Sequence, residues 1–182
     1  MKRIRRISSS DDYSATWRSL FRSSPQPPRA VGLDDGPSTK DQKIPLHHRR
    51  ASLVAVWFNG LTIDNVRLGA LHVDALDVTD VILQLVSRTR TDIIFLSGAS
   101  FAGFNIVDSS RLHTSLRIPI IIVTREKPNN VSVKRALKKH FADWKERWAL
   151  VSGLGKIYAF APKASEHPLY FEAVGVSAAK AR

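Results

Sequence analysis

Apolar positions in this chain fall into short runs and helical stripes, and their order reads as an architecture. Ala30-Val31-Gly32-Leu33 is a short strand that Asp34-Asp35-Gly36-Pro37 breaks, because Asp-Gly-Pro is strong turn chemistry. Ala51 to Phe58 and Leu61 to Val73 flank Asn59-Gly60, the signal of a type I′ hairpin turn in which both central residues take positive φ. Val78, Val81, Ile82, Leu85 and Val86 then recur at helical spacing. Asp77 and Asp80 are placed as an N-terminal cap, and Arg88 to Arg90 supply positive charge where that helix ends.

Ile93-Ile94-Phe95-Leu96 is a short, uninterrupted apolar run and predicts a strand buried on both faces. It stops at Ser97-Gly98, and a loop rich in Gly, Ala, Ser and Asn follows as far as Asp108. In open α/β sheets ligands bind beyond the carboxyl ends of the strands, so this loop is the best address for a site. A short helix over Asp108 to Leu116 and a buried strand over Ile118 to Thr124 come next. Val133, Leu137, Phe141, Trp144 and Trp148 mark a pair of helices with a break near Ala142-Asp143. Lys156 to Phe160 reads as the last strand, and Leu169 to Ala179 as a small-residue helix or a strand followed by a helix. Three early strands joined without helices, then alternating strands and helices, is the order of the ribonuclease H-like fold: an α/β protein with a mixed sheet flanked by helices.

Composition narrows the class. No apolar run approaches a membrane span, which argues against an integral membrane protein, and the basic N-terminus lacks the apolar stretch of a secretory signal. The chain has no cysteine, which excludes disulfides and thiolate chemistry and fits a cytoplasmic protein. Residues 1–28 differ from the remainder: over Met1 to Arg29 seven Lys/Arg stand against two Asp, beside a Ser cluster and a Pro-rich piece. They predict a mostly disordered basic arm ahead of one domain over 29–182. His47 and His48 lie in a polar loop, and their adjacency is not the spacing of a helical zinc pair.

The formal net charge of +12 changes the picture most, because it points to a polyanion, most simply DNA or RNA. Lys134, Arg135, Lys138, Lys139, Lys145 and Arg147 share the polar side of the helical pair, as a solvated surface or as a lining for phosphates. Arg125 and Lys127 follow a strand on the same expected edge as the loop and would contact phosphate. Within the loop, the amides around Gly98 and Gly103 could meet a phosphate or a flipped base, with Phe101 or Phe104 stacking and Asn105 hydrogen-bonding. The competing reading has the phenylalanines plugging the core, and Phe104 fits it better.

The ribonuclease H topology places carboxylates at the ends of its first and central strands, where hard oxygen ligands hold Mg²⁺ or Mn²⁺ for phosphodiester hydrolysis. The candidates are Asp34 or Asp35 after the first strand and Asp74 or Asp77 before the first helix. At the end of the central strand stands Ser97.

The segments VGLDDGP, VDALDVTD, LSGASFAGFNIVD, REKP, ALKKHFADWKERW and LYFEAVG, in this order over Arg29 to Ala179, resemble the archaeal DUF99 family. The resemblance implies an endonuclease V-like, ribonuclease H-type fold and descent from metal-dependent nucleases. It matches Asp35 to the first-strand carboxylate and Asp77 to the acidic residue before the helix, with Asp74 also retained. Ser97 stands where the family has aspartate. A hydroxyl is neutral and a weaker ligand for a hard cation, so metal affinity and water activation both fall. Glu172 is the carboxylate that could substitute. Two readings follow: an endonuclease V-like phosphodiesterase weakened at Ser97, or a non-catalytic nucleic-acid-binding module of the same fold.

Overall fold

The computed structural model describes residues 27–38, 49–161 and 167–181. Residues 1–26 of the basic arm, and the His47-His48 pair, lie outside the described residues.

Turn chemistry and alternation build three antiparallel strands: β1 (Arg29–Ser38), β2 (Arg50–Asn59) and β3 (Thr62–His72). The Asp-Gly-Pro segment does not break β1. It makes a bulge instead: Asp35 still faces Leu53 and Ser38 faces Ala51, with one extra residue accommodated between them. A bulge tolerates a proline because the ladder there has already lost a hydrogen bond. The β2–β3 turn also differs from expectation. Asn59 pairs with Thr62, so the turn residues are Gly60 and Leu61, and among Asn59, Gly60 and Leu61 only Gly60 takes positive φ, 62°. Glycine at the first turn position is the II′ pattern rather than I′. A register shift between Trp57 and Phe58 displaces the turn by one residue.

The helical stripe forms α1 (Val78–Val86), which buries Val78, Ile82 and Val86. It stops at Val86, before Arg88 to Arg90, and has no basic residue in its last turn. Next come β4 (Ile93–Leu96), the two-residue strands β5 (Ser100–Phe101) and β6 (Asn105–Ile106), and α2 (Ser109–Leu116). They are followed by β7 (Ile120–Thr124), α3 (Asn130–His140) and α4 (Trp144–Ser152). The expected break between α3 and α4 is there: Phe141 leaves the helix in an extended conformation. Tyr158–Phe160 (β8) is not the last strand, because Leu169 onward takes the strand-plus-helix alternative as β9 (Leu169–Val174) and α5 (Ala178–Ala181).

The main sheet runs β3-β2-β1-β4-β7-β9-β8, with β1, β4 and β7 parallel and the other pairings antiparallel. A hairpin pair feeding a parallel centre through crossover helices is the ribonuclease H-like arrangement. The main core lies between this sheet and the α1–α2 layer, where Leu53, Leu71, Ile94 and Leu96 meet Val78, Ile82 and Leu112. Close approach of α1 to β3 depends on Gly69, since a Cβ there would sit 2.7 Å from Val81 Cγ1. A second core, around Ile106, Leu137 and Val151, joins α3 and α4 to the outer side of the β5–β6 hairpin.

Trp57 lies fully inside the main core, and its indole N–H donates to Thr91 Oγ1 at 2.9 Å. Thr91→Val keeps the shape but leaves that N–H without a partner, which costs about 1–3 kcal/mol. Urea unfolding should show that loss with an unchanged m-value; a variant as stable as the parent would mean that the bond contributes nothing.

Candidate functional site

The chain beyond β4 folds back on itself as the β5–β6 hairpin, and its turn residues Ala102 and Gly103 both take positive φ, 43° and 89°. A Cβ at Gly103 would collide with Asp74 Oδ1, so glycine is required there by the fold. The backbone donors of this turn end on the carboxylates that were expected to bind metal. Ala102 N–H donates to Asp35 Oδ2 at 2.7 Å, and Phe104 N–H donates to Asp74 Oδ1 at 2.8 Å. Asp74 itself stands at φ 57°, and its N–H donates to Ala102 O at 2.9 Å.

Asp77 does not cap α1 with its side chain. Its carboxylate takes His72 Nδ1 at 2.6 Å on one oxygen and Asn105 Nδ2 at 2.5 Å on the other. Burial pushes the Asp77 carboxyl up, but the hydrogen bonds from His72 and Asn105 and the nearby imidazole outweigh it and hold the group below the usual carboxylate range. The cap on α1 comes from Asn105, whose Oδ1 accepts Val78 N–H at 3.1 Å while its Nδ2 also reaches His72 O.

These contacts correct several expectations. Asn105 is 0% exposed and Phe101 is buried in the main core, so neither is free to hydrogen-bond or stack on a base. The amides of Ala102 and Phe104 already have acceptors. Phe104 packs edge-on against Phe141, ring centroids 5.4 Å apart, in keeping with its reading as a plug. Arg147 does not lie on the basic helical face. It is buried over the Phe141 ring, bonded to Asp143, Ala75 O and Phe104 O. Its role was missed; the Asp143–Arg147 spacing, one helical turn, was the available signal. His72 was missed too, and nothing in the periodicity marks it.

Ser97 is at the end of β4, as expected, and its hydroxyl donates to Asp34 Oδ1 at 2.5 Å. Neither Asp92 nor Asp108 compensates for the missing carboxylate: Asp92 accepts Arg29 N–H at the other end of the sheet, and Asp108 caps α2. Among the described residues no three Asp, Glu or His side chains stand together as a metal-holding group. Asp35, Asp74 and Asp77 each bond to a different residue of the β5–β6 hairpin, and Glu172, on β9, bonds to none of them. The donor set therefore does not fit the Mg²⁺ or Mn²⁺ cluster that the topology implies.

What the fold does assemble at this edge is a cavity of about 470 Å³ between the β4–β5 connection, the β7–α3 connection and the end of α4. Ser97 and Gly98 are on one side, Lys127 is on another, and Phe104 and Val151 contribute apolar wall. Glu172, on β9 opposite Ile122, lines it as well. It is 5% exposed and has no hydrogen-bond or ion-pair partner among the described residues, and burial pushes its carboxyl up. Arg125 and Lys127 line an adjoining cleft with Tyr170, on the edge where they were expected. On the other side, Lys134, Arg135 and Lys138 share a groove with Trp148, and Asn130 belongs to both this groove and the cavity.

A family model described as endonuclease dU matches residues 27–182. The chain belongs to the endonuclease dU family. A UPF0215 protein of Pyrococcus furiosus is 35% identical over 158 residues, covering 82% of this chain and 76% of the relative. A solved protein of unknown function from Archaeoglobus fulgidus superposes with a TM-score of 0.70 at 24% identity, covering 84% of this chain and 82% of that one. A looser likeness of fold, TM-score 0.44 at 11% identity over 90% of this chain and 82% of that one, is to Ciona intestinalis endonuclease V solved with an inosine-containing DNA. The fold of the Archaeoglobus fulgidus protein is shared by this chain, in which serine follows the central strand. No described helix of this family member is long and apolar enough to cross a membrane.

Two outcomes test the site. A carboxyl whose value is raised in the folded state stabilises while protonated, and that stability is lost as pH rises through the raised value. Glu172→Gln should therefore melt higher than the parent at pH 8 and level with it at pH 4; equal melting at both would mean that Glu172 is not desolvated. Ser97→Asp places a second carboxylate beside Asp34. It should lower the melting temperature in EDTA and restore it with Mn²⁺, and calorimetry should detect Mn²⁺ uptake that the parent lacks. A variant indifferent to Mn²⁺ would mean that position 97 does not face a cation site.

Proposed function

We propose that this endonuclease dU family member is a nucleic-acid-binding protein that holds the phosphate backbone along α3 and α4, with phosphodiester hydrolysis lost or strongly weakened. The observation that carries the reading is the cationic and aromatic face beside the cavity. The α3 segment has Lys134, Arg135, Lys138 and Lys139 and no acidic residue. Lys134 Nζ stands 4.8 Å from the centre of the Trp148 ring, and Lys138 Nζ the same distance from Trp144. Lysines laid over indoles keep their charge at the surface and sit in fixed places, which suits a backbone of regularly spaced phosphates. Lys127 and Arg125 extend the positive edge on the far side of the cavity. A strand running between the two cationic patches would cross the cavity mouth.

Binding without cleavage is supported by the engagement of Asp35, Asp74 and Asp77 with the hairpin and by Ser97 at the position where the chemistry needs a carboxylate. The second reading, a Mg²⁺- or Mn²⁺-dependent endonuclease, is favoured by the description of the family. It requires cutting of an oligonucleotide in Mn²⁺ that Asp35→Ala abolishes.

Fluorescence anisotropy with labelled single-stranded DNA, duplex DNA and RNA over a salt series tests the binding. Lys138→Ala with Lys139→Ala should weaken binding to all sequences alike. It should also flatten the plot of log K against log salt by about 0.7–0.9 for each phosphate contact removed. An unchanged slope would take α3 out of the interface, and an absence of salt-sensitive binding by the parent would overturn the reading.

A further inference from the structure

The two faces of the main sheet are covered unequally. Val31, Leu33, Ala55 and Ile94 point into the core beneath α1 and α2, so the residues that alternate with them point to the other side. There the pairings of Val66 with Val56, Val56 with Gly32 and Gly32 with Phe95 set one row across β3, β2, β1 and β4, and Leu68 faces Val54 beside it. Val66, Leu68 and Phe95 are exposed, and Val54, Val56, Val66, Leu68 and Phe95 belong to neither core among the described residues. The run Ile93–Leu96 has the uninterrupted apolar pattern of a strand covered on both sides, yet only Ile94 and Leu96 are buried.

Gly32 turns this row into a groove. Nothing stands within 4 Å of where its Cβ would be, and Val54, Val56, Phe58 and Phe95 surround the space, which measures about 350 Å³. Among the described residues that line it there is no Lys or Arg, and Asp34 is the one charge. Such a surface repels phosphate and suits an apolar partner.

We propose that this groove seats the chain's own N-terminal segment, with Tyr13, Trp17, Leu20 and Phe21 laid against the row as one side of a helix.

Sequence, reach and charge agree on that occupant. The segment over residues 1–26 lies outside the described structure, and most of it is basic or polar. Its apolar residues are nevertheless in order: Tyr13, Trp17, Leu20 and Phe21 stand at i, i+4, i+7 and i+8, the spacing that puts side chains on one side of a helix. Asp11 and Asp12 precede this stripe, Arg18 and Arg22 fall in its second half, and Pro25 follows it. That is the charge order and the stop signal of a helix.

The described chain begins at Pro27, against the β2–β3 turn, with its Cβ 3.5 Å from where a Cβ at Gly60 would be. From there β1 leads under the groove, and Gly32, five residues on, lies about 17 Å away. Phe21 is six residues before Pro27, a span of about 20 Å when extended. The stripe therefore reaches the groove. A tether this short holds the segment at an effective concentration on the order of millimolar, whereas a second copy carries the same charge of +12 and is repelled.

The chain has no cysteine, so a single introduced thiol reports on one place. Val56→Cys puts a thiol of similar size in the groove, and Val131→Cys puts one on the exposed side of α3. Iodoacetamide labelling is followed for each, in the full chain and in the same chain with Trp17→Ser and Phe21→Ser. If the docked form outnumbers the open one ten to one, Val56→Cys should label about tenfold more slowly with the aromatics than with the serines. Val131→Cys should label equally in both. The dye ANS should fluoresce more brightly on the Trp17→Ser/Phe21→Ser chain than on the parent, and the parent should sediment as a monomer. Equal labelling of Val56→Cys in the two backgrounds, or dye fluorescence that the serines leave unchanged, overturns the proposal. Protection that grows with protein concentration and survives both serines, in a chain that sediments as a dimer, would give the groove to a second copy and overturn it as well. The dye comparison alters only the N-terminal segment, so a Val56→Cys chain that fails to fold does not blunt the test. No nucleic acid is present in these measurements, and their outcome is independent of backbone binding.

Discussion

Asn105 has no access to solvent, and its three hydrogen bonds run to the end of β3 and to Asp77 and Val78 at the start of α1. Its oxygen closes the first turn of α1, while its nitrogen holds the last carbonyl of β3 and the Asp77 carboxylate. A buried amide left unsatisfied costs enough that the surrounding backbone must be where these bonds can be made. The β5–β6 hairpin, the start of α1 and the end of β3 are therefore placed by one side chain. The rest of the carboxyl edge follows from that placement. With Asn105 in position, Phe101 and Ile106 turn into the two cores on either side, and Phe104 is left as a wall of the cavity.

The acidic residues at this edge are then understood as anchors. A hairpin with two consecutive residues at positive φ presents amides outward, and Asp35 and Asp74 take one each. In a nuclease with the same topology, carboxylates here must be gathered and left free to bind cations. In this chain the end of the central strand contributes a neutral hydroxyl, already bonded to Asp34. Removing one charge weakens the case for a cation, while the remaining carboxylates keep a structural use. That is a physical reason for their persistence that does not require catalysis.

Charge is distributed to match. The chain carries +12 formally, and Lys134 and Lys138 of α3 stand over the half-buried rings of Trp148 and Trp144. Arg147, one helix further on, shows the opposite treatment: buried, ion-paired to Asp143 and bonded to two carbonyls, it fastens α4 to the loop beneath. Cations of one helical pair thus divide between the solvent-facing side of α3 and a bolt inside the fold.

Periodicity was enough for the three early strands, the strands β4 and β7, the α1 stripe and the α3–α4 break, because apolar spacing reports directly which faces are buried. Ser97 could also be read in advance, since its position at a strand end is a matter of counting. The partners of the polar groups could not be. Asp77 before a helix looks like a cap in sequence, yet Asn105, twenty-eight positions away, takes that role and leaves Asp77 to His72. Asp-Gly-Pro looks like a break, yet pairing with β2 carries β1 through it as a bulge. Glu172 was expected as a substitute metal ligand; its burial, its lack of a partner and its place in the cavity wall arise from β9 lying beside β7, a pairing between segments some fifty residues apart. Local pattern decides which residues turn inward. Which polar group meets which is decided only when distant segments are brought together, because hydrogen bonds depend on distance and angle and not on separation along the chain.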